Sequence, residues 1–177
     1  MSDTVRVHCL NTDIYKEVRI GSSLEDLIDV FEVRSPYLIT NVKVNNKTES
    51  LAYRVYRPKT IEFMDLTHSS AMRTYVRSLC FILAKAVNDT LPHAETYIEH
   101  AVARGYYFQI EADVPVGKPE LDAIRKRMQE IVDADIPFVQ VEEETRDVVE
   151  LFRGRKMEDK ARLLETSDFL YARYSKL

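Results

Sequence analysis

The strongest constraint in this chain is the stretch from Thr67 to Asn88, which contains neither glycine nor proline. Ala71, Tyr75, Val76, Leu79, Leu83, Ala86 and Val87 recur along it at helical spacing. Such a run predicts one long amphipathic helix, with Thr67 as its N-cap and Pro92 beyond its end. A helix of that length divides whatever precedes it from whatever follows, and the composition changes at Asp65, just before it begins.

The residues before the helix predict short strands around one small helix. Val5–Leu10 and Tyr15–Ile20 read as strands separated by the turn residues Asn11–Asp13. Ser22 or Ser23 can cap a helix in which Leu24, Leu27, Ile28 and Phe31 form the buried stripe, and Pro36 is expected to end it. Leu38–Val44 reads as a strand, Asn45-Asn46-Lys47 as a turn, and Leu51–Tyr56 and Thr60–Phe63 as short strands or extended segments. Hairpin, helix and further strands within this span predict an α+β roll of the ubiquitin type.

After the long helix, Thr96–Val102 and Tyr106–Glu111 read as two strands around Ala103-Arg104-Gly105. Pro119 opens another helix, where its missing N–H costs nothing. Leu121, Ile124, Met128, Ile131 and Val132 are expected to line its buried side. The strand Phe138–Val141, a helix capped by Thr145 and running to Gly154, a helix at Met157–Leu164 and a strand at Phe169–Tyr174 complete the reading.

The chain of 177 residues carries 25 basic and 29 acidic residues, a net charge of −4. This balance argues against indiscriminate polyanion binding, although a local basic patch remains open. No apolar run approaches the roughly 20 residues of a membrane helix. The start lacks a signal-peptide apolar region, so a cytoplasmic location is expected. Cys9 and Cys80 are too few for a disulfide framework and read as packing residues.

No GxxxxGK[ST], GxGxxG or GxSxG pattern is present, so no catalytic residue is assigned. His68 begins an HxxxH pattern whose second position is Met72, and no HExxH or CxxC occurs, so no metal ligand set is assigned. His68 also reads as a helix-start residue bonded to backbone. Tyr107 and Gln109 share a strand face by the period of two. With His68 and Arg73 near the start of the long helix, they are the candidate lining of a pocket; packing is the alternative role for the aromatics. Arg125, Lys126, Arg127, Arg153 and Arg155 are candidate phosphate or RNA contacts, or else a solvated helix face.

Residues about 3–64 resemble the TGS domain, a ubiquitin-like β-grasp module of threonyl-tRNA synthetases and some GTPases. From residue 65 onward, Asp65-Leu66-Thr67-His68-Ser69-Ser70-Ala71, Tyr97-Ile98-Glu99, Gly105-Tyr106-Tyr107-Phe108, Leu121–Met128 and Pro137-Phe138 follow in an order that resembles the second N-terminal domain of threonyl-tRNA synthetase. That editing domain is shared with alanyl-type editing proteins. The resemblance implies an α+β protein with a β-grasp domain at 1–64 and an editing-like domain at 65–177. The closing strand lacks the other half of such a domain, so truncation is expected. In the family the helix opens with HxxxH and a CxxxH lies near the domain's end; here only His68 is kept and no CxxxH occurs.

The variant His68-Ser69-Ser70-Ala71-Met72-Arg73 resembles the front of a bacterial uridine kinase-like nucleoside kinase. The implied role is a non-catalytic ligand-sensing or docking region. Its partner would be a C-terminal P-loop kinase domain of the same chain, lying beyond residue 177. The segment itself calls for no cofactor, while ATP and Mg²⁺ are implied for that parent. The alternative is a threonyl-tRNA synthetase-related module that binds tRNA or is editing-like with a degenerate metal site. A nucleoside, a nucleotide or tRNA is the ligand these readings imply, and a scaffold for protein contacts is the third.

Overall fold

The computed structural model describes residues 3–103, 105–155 and 157–177. It is an α+β protein whose two compact units divide between Cys80 and Phe81.

The first unit is built on a five-stranded sheet. Its strands are β1 (Thr4–Cys9), β2 (Ile14–Arg19), β3 (Ile39–Val44), β4 (Lys47–Ser50) and β5 (Lys59–Asp65), and α1 (Leu24–Val30) lies between β2 and β3 in sequence. The spatial order is β2-β1-β5-β3-β4. β1 and β5 run parallel, with Cys9 opposite Ile61, while the other pairings are antiparallel. This is the β-grasp arrangement that the sequence predicts. Alternation in β1 buries Val5, Val7 and Cys9 and turns Arg6 and His8 outward. The buried residues meet Leu24, Leu27 and Phe31 of the α1 segment, and Val42, Ile61 and Phe63 of the sheet, in one core. Each such aliphatic side chain contributes about 1.5–3 kcal/mol by leaving water.

Local chemistry sets the ends of α1. Ser23 is the cap: its hydroxyl accepts the Asp26 N–H, and the Asp26 carboxylate accepts the Ser23 N–H, both at 3.2 Å. The Ser23 hydroxyl also donates to the Asp26 carboxylate at 2.6 Å, and this bond, followed by that from the Ser23 N–H, holds the Asp26 carboxyl below its ordinary range. The helix stops well before Pro36. Glu32 takes φ 54°, and the Val33 and Glu32 N–H groups return to the Ile28 and Asp29 carbonyls, both at 3.0 Å. That is a Schellman ending, made here without glycine. Leu51–Tyr56 forms no full strand; Arg54 makes only an isolated bridge to Ser23. The additional strand β4 follows a two-residue turn at Asn45 and Asn46, both at positive φ.

The long helix α2 spans Ser69–Thr90. It begins two residues later than predicted, because Thr67 is engaged elsewhere: its N–H and hydroxyl both donate to the Asp65 carboxylate. In the first unit, buried Asn41 of β3 donates to the Thr74 hydroxyl at 3.0 Å, and the Thr40 hydroxyl donates to the Ala71 carbonyl at 3.3 Å. These bonds fix the first turns of α2 against the sheet.

The second unit takes the rest of α2, then β6 (Glu95–Val102), β7 (Gly105–Glu111), α3 (Lys118–Asp133), β8 (Val139–Glu144), α4 (Thr145–Gly154), α5 (Glu158–Glu165) and β9 (Tyr171–Lys176). β6 pairs antiparallel with β7, and β8 with β9, as two separate ribbons. Ile82, Ala86 and Val87 pack with Ile124 and Ile131, joined by half-buried Met128 and Ile110.

The buried faces of α2 and α3 are narrower than predicted. Tyr75 and Leu79 on α2 are exposed, as are Leu121 and Val132 on α3. Only a short stretch of α3 meets the core, so Leu121 overhangs it, and Val132 lies about 100° round the helix from Ile131. Thr145 opens α4, but its hydroxyl donates to the Phe169 carbonyl at 2.5 Å instead of capping the helix.

Two groups deserve mutation. Asn11 sits just past β1, where its carboxamide accepts the Phe63 N–H at 2.7 Å and donates to the Phe63 carbonyl at 3.0 Å. It thereby mimics one further residue of the β1–β5 ladder. Asn11→Ala should destabilise the chain by about 1–3 kcal/mol in urea unfolding.

Asp89 binds both Lys85 and Arg127, joining α2 to α3. Burial pushes its carboxyl up, but the hydrogen bonds from Lys85 and Arg127 outweigh that and hold it below its ordinary value. A carboxyl depressed by folding stabilises fully above its unfolded pKa of about 3.9, and that stability is lost as pH falls through the folded value. Asp89→Asn should therefore cost about 1 kcal/mol at neutral pH. Urea midpoints of the two proteins should converge at about pH 2.

Candidate functional site

The candidate residues of the first unit gather where β5 hands over to α2. Asp65 ends the strand and accepts hydrogen bonds from the Ser35 hydroxyl at 2.6 Å and the Thr67 N–H at 2.9 Å. The bonds from Ser35, and then from Thr67, hold its carboxyl below the usual range. This fixed turn presents His68 directly before the helix. The His68 carbonyl accepts the Met72 N–H at 3.0 Å, the first bond of the helix. Its Nδ1 accepts the Ser70 N–H at 3.2 Å. The imidazole thus satisfies a backbone donor that the helix start leaves without a partner. Arg73 is exposed one turn further on.

A metal of the editing type does not fit these residues. His68 Nδ1 is already engaged, and the residue one turn on is Met72, an exposed thioether. Among the described residues, no three His, Cys, Asp or Glu side chains gather as a ligand set.

Tyr107 and Gln109 lie on β7 in the second unit. They share a face, and Gln109 stands opposite Tyr97 of β6. The His100 and Tyr107 rings lie 5.7 Å apart. Gln109 donates to the Glu111 carboxylate at 3.1 Å, and the Tyr97 hydroxyl donates to Glu95. The Glu95 hydrogen bond, followed by the negative charge around it, pushes the Tyr97 hydroxyl up to about 12. His68 and Arg73 therefore belong to one unit, Tyr107 and Gln109 to the other.

The five phosphate candidates differ in how far they are already engaged. Arg127 binds Asp89 at 2.9 Å and Glu130 at 3.2 Å, which pushes its guanidinium pKa upward. Arg153 binds Glu165 at 2.5 Å and Glu158 at 3.8 Å. Lys126 is largely exposed, with Glu130 at 4.0 Å. Arg125 and Arg155 are exposed and make no ion pair among the described residues. Of these five, Arg125 and Arg155 are thus unpaired among the described residues, and Lys126 is held only by a long, exposed pair with Glu130.

A cavity of about 150 Å³ in the first unit is walled by Asn11, Thr12, Ser35 and Asp65, among others, and none of the nine candidates lines it. Sequence reasoning did not single out Asp65. The signal available was the short Asp65-Leu66-Thr67 spacing, which favours a carboxylate bonding backbone two residues on. No helix among the described residues is long and apolar enough to cross a membrane.

No family model matches the chain. Its similarity is to threonine–tRNA ligases. The ligase of Desulforamulus reducens is 30% identical over 111 residues, which is 63% of this chain and 18% of that protein. The ligase of Syntrophomonas wolfei is 27% identical over 142 residues, 78% of this chain and 22% of that protein. The ligase of Maricaulis maris is 36% identical over 83 residues, 47% of this chain and 13% of that protein. This chain spans about a fifth of the length of the first two relatives. Nothing found supports a nucleoside kinase parent, so the chain is described by its likeness to part of a threonine–tRNA ligase.

Proposed function

We propose that this chain is a threonine–tRNA ligase-related accessory module that contacts tRNA, with Met72 standing where its editing-like part would carry the second histidine of an HxxxH pair. One observation carries the reading. The similarity to the Syntrophomonas wolfei ligase covers 142 residues, more than either compact unit contains, so it runs through both. The order of a β-grasp unit followed by a second unit, with one long helix running from the first into the second, supports the same reading.

Met72 leaves His68 without an HxxxH partner, so the metal-dependent step of editing has no support among the described residues. What remains is binding. Arg125, Lys126 and Arg155 of the second unit supply exposed positive charge for phosphates. Arg127 and Arg153, held by carboxylates, shape the surface rather than contact the ligand. The few free cations on an acidic chain predict modest, salt-sensitive affinity.

Retardation of tRNA by the full chain tests this. Binding is expected at low salt and should weaken linearly on a log–log plot against salt concentration. Arg125→Ala and Lys126→Ala should each weaken it severalfold and lower the salt slope by about one. Arg127→Ala should act on stability first. Absence of retardation at low salt would overturn the proposal, and a GxxxxGK[ST] segment in the gene's reading frame past Leu177 would favour the nucleoside-kinase reading instead.

A further inference from the structure

The β6–β7 ribbon has two unlike faces. Ile110, on one face, packs with the unit's core. The other face carries Tyr97, Tyr107 and Gln109, with Glu95 and Glu111 at one end. Tyr97 and Tyr107 are 41% and 51% exposed, and their rings are accessible to a partner, although the His100 ring lies tilted against Tyr107 at 5.7 Å.

The end of that face is electrostatically unusual. Glu95 and Glu111 stand directly opposite each other across the two strands. Two like charges in such a pair are about 5 Å apart at Cβ and destabilise the pairing. Their hydrogen-bond donors are neutral, the Tyr97 hydroxyl and the Gln109 amide. Neither carboxylate makes an ion pair among the described residues. Asp159 of α5 adds further negative charge, felt at the Tyr97 hydroxyl. The face thus combines open aromatic rings with unneutralised carboxylates. A phosphate would be repelled, whereas a guanidinium would satisfy both features at once, stacking on a ring and pairing with a carboxylate.

We propose that this face of β6–β7 is a docking surface for an extended, arginine-bearing segment of a polypeptide. Alternate side chains of an extended segment repeat about every 6.7 Å, the spacing at which Tyr107, Gln109 and Glu111 repeat along β7. Arginines at three successive alternate positions therefore meet the Tyr107 ring, the Tyr97–Gln109 pair and the Glu95–Glu111 carboxylates. The proposal is independent of tRNA binding, which uses other residues.

The test titrates the full chain with a synthetic peptide alternating arginine and serine, beside its lysine and glutamate counterparts. Affinity comes from calorimetry and location from backbone amide NMR. The arginine peptide should bind, shift the β6 and β7 amides and bind severalfold tighter than the lysine peptide. The glutamate peptide should not bind. Tyr97→Leu with Tyr107→Leu keeps every charge and should weaken the arginine peptide about tenfold. If that double variant loses its folded spectrum, Glu95→Gln with Glu111→Gln replaces it and should weaken binding as much. tRNA retardation should be unchanged in either variant. Equal binding of the arginine and lysine peptides, unaffected by loss of the tyrosines or the glutamates, would reduce the effect to net charge and overturn the proposal. So would no binding, or shifts confined to other elements.

Discussion

The parallel pairing of β1 with β5 is the contact on which the first unit depends. Two parallel neighbours cannot be joined by a tight turn, so everything between Cys9 and Lys59 must form the connection. That connection holds β2, α1, β3 and β4, and it stays in place because α1 closes over the sheet. Val7 and Ile61 from the central pair meet Leu27 and Phe31 in the core. The Asn11 carboxamide carries the ladder one step past the end of β1, where the chain has already turned away. Asp65 does the same service at the far end of β5, turning a finished strand into the start of α2.

The second unit is held differently. Its two ribbons are each two-stranded, and a ribbon of that kind is marginal in water by itself. Order comes from the α2–α3 contact, where a small apolar cluster is flanked by Asp89 between Lys85 and Arg127. This explains why so much of β6 and β7 is solvent-exposed, and why their side chains are available for recognition.

What the residues disclosed depended on how strongly side chains commit. β1 was readable because Val5, Val7 and Cys9 alternate with polar neighbours, and α2 because nothing in it breaks a helix. A serine cap was readable at Ser22 or Ser23, and the reciprocal bonds with Asp26 select Ser23. β4 was not, because Lys47–Ser50 is polar throughout and takes its register from the Asn45-Asn46 turn. The exposure of Leu121 and Val132 was not readable either, because periodicity cannot say how much of a helix its neighbour covers. The shared face of Tyr107 and Gln109 followed from the period of two. Their companions did not: a register shift between Ile98 and Ala101 sets which residues of β6 stand opposite β7. The pairing of Glu95 with Glu111 is a long-range fact that no local pattern carries.

The same accounting explains how one acidic chain can present two opposite surfaces. Net charge counts residues, while recognition depends on the charges left after internal pairing. Arg127 and Arg153 are consumed by Asp89, Glu130, Glu158 and Glu165. Arg125 and Arg155 are left over, and so are Glu95 and Glu111. A phosphate backbone and an arginine side chain would therefore seek different places on the second unit. The balance of −4 predicts neither place, because it is a sum over charges that the fold has already sorted into spent and available.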